Sequence, residues 1–174
     1  MTNSTKNSSP TRSKETALLL MPINRVVIVL NEGSILLPVK STQQNDAIQE
    51  LLNHLQKMGY LSATTVLCTN METYEKAQSS ATGRGVAYPH CTSTEIDELI
   101  CVFGISQKGV DYNAPDGQLC HFIVLTLSSL DEPNRHRKFI SKFRSMIDHG
   151  DIRTQLLDAP NPASISQGRS HWRE

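Results

Sequence analysis

Hydrophobic positions along the chain change period several times, and each change predicts an element. Ala47, Ile48, Leu51, Leu52, Leu55 and Met58 recur at i, i+3, i+4 and i+7, the spacing of a helix with one buried face. Ser41 or Thr42 is available to cap its start and Gly59 to stop it. A second stripe of Phe139, Ile140, Phe143, Met146 and Ile147 follows Asp131-Glu132-Pro133 and ends at Gly150, with acids and a proline where a helix start favours them. A weaker helical stretch runs over about 64 to 77, and a short one over 151 to 157. Arg25 to Leu30 and Ile35 to Val39 are rich in apolar and β-branched residues, and the Asn31-Glu32-Gly33-Ser34 between them has hairpin-turn chemistry. Leu99 to Ile105 and Leu119 to Leu127 are almost continuously apolar, as strands buried on both faces are; the turn-rich Asn113 to Gly117 separates them. Strands interleaved with helices predict an α/β domain with helices packed on a mixed sheet.

Composition narrows the function classes. With 174 residues there is room for one domain with a substantial core. We expect a disordered tail over 1–14, the domain over 15–160 and a polar end over 161–174. The tail is Ser/Thr/Asn-rich and cannot bury enough apolar surface to offset ordering. Seventeen basic and 17 acidic residues leave no net field for non-specific nucleic-acid binding. The run Ala17 to Met21 is too short for a membrane span, so no direct membrane insertion is expected. Cys68, Cys91, Cys101 and Cys120 form no CxxC pair. That absence suits free thiols in a reducing, cytoplasmic compartment.

The segment Thr82-Gly83-Arg84-Gly85-Val86-Ala87-Tyr88-Pro89-His90 concentrates the chemistry. An imidazole, with a reference pKa of ~6.5, offers an unprotonated nucleophilic nitrogen near neutrality. Gly83 and Gly85 can adopt positive φ and turn their amides toward an anion. Arg84 supplies a permanent charge whose donors match phosphate oxygens, and Pro89 restricts where His90 points. These parts suit a phosphoryl acceptor, and they equally suit an ordinary turn followed by a solvated histidine. His136 adds a second imidazole. It falls in the first turn of its predicted helix, on the edge of the apolar stripe, where the helix dipole favours an anion; the plainer alternative is a half-buried histidine beside a core stripe.

Other chemistries have less support. His54, His149 and His171 fit surface positions. His90, Cys91 and His121 could form a metal site, but no ligand pair has zinc-finger spacing, so no metal and no cofactor is expected. Cys91 lacks a motif for a Cys-His nucleophile pair. There is no GxxxxGK[ST] loop and no carboxylate cluster for Mg²⁺.

Gly83-Arg84-Gly85-Val86-Ala87-Tyr88-Pro89-His90, followed by two apolar strands and a helix bearing His136 46 residues later, resembles the mannitol/fructose-type enzyme IIA domain of the bacterial phosphoenolpyruvate-dependent phosphotransferase system, including its nitrogen-regulatory branch. The resemblance spans roughly 35 to 157. It implies a mixed β-sheet flanked by helices on both faces. It also implies a phosphoryl group accepted on His90 from the phosphocarrier protein HPr or a nitrogen-branch relative, with His136 lining the same site. The group would pass to a sugar permease component, or its presence would govern binding to a regulatory target. Where that family has Arg-Glu, sixteen and fifteen residues before the active histidine, this chain has Tyr74 and Glu75. Arg84 then stands as the replacement for the missing charge. Tyr88 also occupies a position that is usually small and aliphatic in that family. These departures support a second expectation: a non-catalytic interaction module that keeps the fold and has lost phosphorylation.

Overall fold

A computed structural model describes residues 31–167. The expected tail over 1–14 and the strand expected over Arg25 to Leu30 lie outside the described residues. Asn31 opens a short 3₁₀ turn, Glu32–Ser34, through reciprocal side-chain caps between Asn31 and Ser34. Strand β1, Ile35–Leu36, follows directly. Helices α1 (Gln44–Lys57) and α2 (Thr65–Ala77) come next, then strands β2 (Val86–Ala87), β3 (His90–Ser93), β4 (Ile100–Val110) and β5 (Cys120–Ser129). The described chain closes with α3 (Pro133–Ile147), α4 (Gly150–Asp158) and α5 (Pro162–Gln167).

The start of α1 differs from the sequence expectation. Neither Ser41 nor Thr42 caps it; Gln43 occupies the cap position and makes no side-chain cap bond. Ser41 instead donates to Glu50, whose carboxylate also accepts the Lys40 and Ser41 amides. A carboxylate nearly two turns into the helix thus gathers the donors of the preceding loop. The stop falls as expected, with Met58 at the C-cap and Gly59 at φ +79°.

The sheet is mixed. β1 runs parallel to β4, β4 and β5 form a long antiparallel pair, and β2 and β3 both lie parallel along the far side of β5. Val86 pairs with Phe122 and His90 with Thr126, the same offset, so one register continues through Tyr88 and Pro89. Alternate side chains therefore enter two different cores. Ala87, Cys91, Val102, Ile123 and Leu125 pack with α1 and α2, whereas Val86, Tyr88, Phe103, Phe122 and Val124 pack with the later helices. Helices on both faces explain why β4 and β5 carry near-continuous apolar runs. α5, inside the end expected from sequence to be polar, contributes Ile165 to the second core.

This arrangement places His90. It has the parity of Val86 and Tyr88, so it projects to the α3 side of the sheet edge, while Cys91 projects to the α1/α2 side.

Candidate phosphoryl-acceptor site

The chain leading to His90 is held by contacts distant in sequence. Gly83, Arg84 and Gly85 have successive φ values of +80°, +58° and +72°, a left-handed run that Arg84 adopts between two residues free to do so. Val86 N–H donates to Gly83 O and Thr82 N–H to Val86 O, closing a tight turn. The amide of Arg84 donates to the Asp116 carboxylate at 2.6 Å, and a Cβ on Gly83 would come within 3.0 Å of that group. The anion against the glycine turn is therefore supplied by the protein itself. Backbone donors from Arg84 and Gln118 hold the Asp116 carboxyl below its ordinary value. On the far side, Gly85 O accepts from the amides of His121 and Phe122.

The Arg84 side chain pairs with Asp148 at 3.0 Å, and Arg153 donates to Arg84 O and to Ile147 O. Arg84, Gly83, Asp148 and Arg153 line a small cleft of about 180 Å³, which shares a wall of Tyr88 and Arg144 with a larger cleft beside it. His90 lies in the larger one. The cleft beside the histidine is about 630 Å³ and takes in Tyr74, Glu75, Ser80, Tyr88, His90 and His136, together with Arg137 and Arg144. Of the residues singled out in the sequence, the structure thus gathers His90, His136, Tyr74 and Glu75, and sets Gly83, Arg84 and Gly85 outside.

The two histidines meet in this cleft. Their ring centroids are 4.9 Å apart and the planes within 12° of parallel. His90 is exposed at the start of β3 and His136 half-buried in the first turn of α3, so one ring stands open to an incoming group with the other against its face. Glu75 is 8 % exposed. It accepts from Gln44 Nε2 at 2.6 Å and the Ser80 amide at 2.9 Å, tying α1 and α2 to the segment that precedes the glycine turn. Tyr74 is half exposed and brings no charge.

Arg137 and Arg144 went unnoticed in the sequence, although a signal was there. They lie seven residues apart on α3, nearly two full turns, so they share one face of the helix, beside the position of His136. The guanidinium carbon of Arg144 lies 5.0 Å from the centre of the Tyr88 ring, within cation–π range. Burial pushes the Tyr88 phenol up, with Arg144 drawing it part of the way back.

The remaining histidines and cysteines have separate surroundings. His54 Nε2 is 3.0 Å from Gly33 O, His121 Nδ1 is 2.8 Å from Ser106 O, and His149 sits exposed before α4. Burial raises the Cys91 thiol and takes that of Cys120 up to about 12. With His90 and Cys91 on opposite faces, the His90–Cys91–His121 combination does not converge, and no group of three or more metal-ligating side chains is assembled among the described residues. No helix among the described residues is long and apolar enough to cross a membrane.

The family model described as "Phosphoenolpyruvate-dependent sugar phosphotransferase system, EIIA 2" matches residues 28–168. The chain belongs to this enzyme IIA family. Among curated relatives, it is 27% identical over 141 residues to a Bacillus subtilis "PTS system fructose-specific EIIABC component", an alignment covering 81% of this chain and 22% of that protein. The chain thus spans only about a fifth of that relative. It is 24% identical over 144 residues to a Pseudomonas aeruginosa "Nitrogen regulatory protein", covering 82% of this chain and 93% of the relative. The fold matches nitrogen regulatory protein IIA-Ntr of Neisseria meningitidis with a TM-score of 0.69 at 21% identity, over 77% of this chain and 91% of that one. It matches IIA mannitol of Escherichia coli with a TM-score of 0.65 at 20% identity, over 78% and 95%. The single-domain mixed sheet with helices is the architecture of both.

Proposed function

We propose that this enzyme IIA domain is a phosphocarrier that accepts a phosphoryl group on His90. The observation that carries the reading is the stacked pair of His90 and His136 lining one cleft. An unprotonated ring nitrogen of His90 attacks the phosphorus of a donor phosphohistidine in line. The new N–P bond forms as the donor's N–P bond breaks, and the donor imidazole leaves with the bonding pair and takes up a proton. His136, packed against the acceptor ring, confines it and borders the position of the phosphoryl oxygens. The reaction needs no metal. The donor is an HPr-like phosphocarrier protein. The acceptor is a permease component, by analogy with the complex of enzyme IIA mannitol and phosphorylated enzyme IIB mannitol of Escherichia coli, whose IIA chain shares the fold with a TM-score of 0.63; alternatively the phosphorylation state governs a regulatory target. All of this takes place in the cytoplasm.

Incubation with phosphoenolpyruvate, enzyme I and a phosphocarrier tests the reading. The expected result is acid-labile phosphate on the wild-type chain and none on His90→Ala. No label on the wild type, or equal label on both, overturns it.

A second reading rests on Tyr74, uncharged and half exposed in the same cleft. Under it the domain is a non-catalytic interaction module. Partner capture would then be the same for wild type and His90→Ala and indifferent to the phosphorylation system.

A further inference from the structure

We propose that Arg144 is the cation that holds the phosphoryl group on His90, and that Tyr88 is its positioning residue. The inference rests on His90 being the acceptor. Three observations lead to it.

The first is direction. Arg144 lies eight residues after His136 on α3, two turns or about 12 Å along the axis. Helical side chains slope toward the N-terminus, so Arg144 leans back along the cleft that His136 and His90 also line. Tyr88, two residues before His90 on the same side of the sheet edge, meets it there, with the guanidinium carbon 5.0 Å from the ring centre. Tyr88 is 6 % exposed and fixed in the core, so its ring and phenol oxygen form a rigid support for the guanidinium, whose five N–H donors exceed what one phenol engages.

The second is charge. Asp148, one turn beyond Arg144, is engaged by Arg84 at 3.0 Å, and Glu132 by Arg135 at 2.8 Å. Glu75, the carboxylate lining the cleft, is occupied by Gln44 and Ser80. No carboxylate is paired with Arg144 among the described residues. Arg137 also lines the cleft, but it is one residue from His136 and, among the described residues, has no ring beneath it.

The third is substitution of one charge source by another. Tyr74 faces the cleft without charge, and Arg84 is paired with Asp148 and lines only the smaller cleft, whereas Arg144 borders both. A guanidinium held over the cleft by Tyr88 supplies donors in the planar fork that phosphoryl oxygens accept.

The test is the initial rate of transfer from a phosphorylated HPr-like carrier to the full chain, resolved into kcat and KM. Arg144→Gln is expected to lower kcat by about 10²-fold, as removal of one transition-state donor does, with KM for the carrier within about threefold. Arg144→Lys should recover part of that loss. Tyr88→Leu should fall with Arg144→Gln and cost nothing further in the double variant, and Tyr88→Phe, which restores the ring without the phenol oxygen, should recover part of that loss. Arg144 is exposed, and a melting curve confirms that each variant is folded. A wild-type rate for Arg144→Gln with His90-dependent labelling intact overturns this inference alone, as does a loss confined to KM. Absence of His90-dependent labelling on the wild type overturns the acceptor reading and this inference with it.

Discussion

The Arg84 guanidinium lies 3.0 Å from the Asp148 carboxylate, in the cleft beside the histidines and not in theirs. The arginine inside the glycine turn thus joins that turn to the end of α3. Arg84→Ala should keep phosphoryl acceptance within about threefold of wild type, a barrier change under 1 kcal/mol. Both partners are well exposed, so the stability loss should also stay below about 1 kcal/mol. Labelling rates and thermal melts on the same preparation check both; a loss of acceptance like that of His90→Ala would return Arg84 to the phosphoryl site.

His136 stacks on His90 at 4.9 Å from the first turn of α3. His136→Gln retains a polar side chain of similar reach and removes the ring. Acceptance should fall by about 10²-fold, the usual effect of losing one group that supports developing charge. The melting temperature should move by no more than about 2 °C, as for other substitutions away from the core. Equal rates for the two proteins would make His136 a packing residue only.

The histidine pair was legible because each half sits on a strongly patterned element. His90 follows a turn whose glycines and proline are readable locally, and His136 precedes an amphipathic stripe whose facing direction follows from its period. The alternation of β4 and β5 between two cores likewise follows from their unbroken apolar runs. What escaped depends on residues far apart in sequence. Asp116 reaches the amide of Arg84 across 32 positions, and nothing local announces that the glycine turn already holds a carboxylate. Ser41 looked like a helix cap because the Glu50 carboxylate nine residues later, its actual partner, leaves no trace in the local pattern. Nothing local sets Arg144 apart from the other basic residues of α3 either; what distinguishes it is Tyr88 beneath it, which comes from a distant strand edge.

Gly104 sits in the middle of β4, where a Cβ would come within 2.8 Å of Leu51 Cδ2 and 2.9 Å of Val39 Cγ2. Leu51 is fully buried and Val39 nearly so, leaving neither methyl room to withdraw. Gly104→Ala should destabilise by about 1–3 kcal/mol, the usual cost of overpacking a filled core. Urea denaturation would read this as a lower midpoint at unchanged slope. Because the strain falls between the sheet and α1, on the face opposite the histidines, His90 labelling below the melting range should be unaffected.

Glu50 gives the fold a pH dependence of its own. Partial burial alone would raise its carboxyl, but the Ser41 hydroxyl at 2.6 Å and the Lys40 and Ser41 amides outweigh that and hold it below the ordinary glutamate value. A depressed folded-state pKa means a contribution fully present above the unfolded value, near ~4.3, and lost as pH falls through the folded one. Glu50→Gln should cost about 1–2 kcal/mol at pH 7, below the full value of hydrogen bonds to a charged acceptor because solvent screens a partly exposed group, or about 3–6 °C in melting temperature for a domain of this size. The gap should hold from pH 7 down to about 5 and close as the wild-type carboxylate is protonated below ~4.3. Melts of both proteins across that range decide it. A gap unchanged at pH 3 would mean that the loss comes from side-chain shape and not from the carboxylate that gathers the loop before α1.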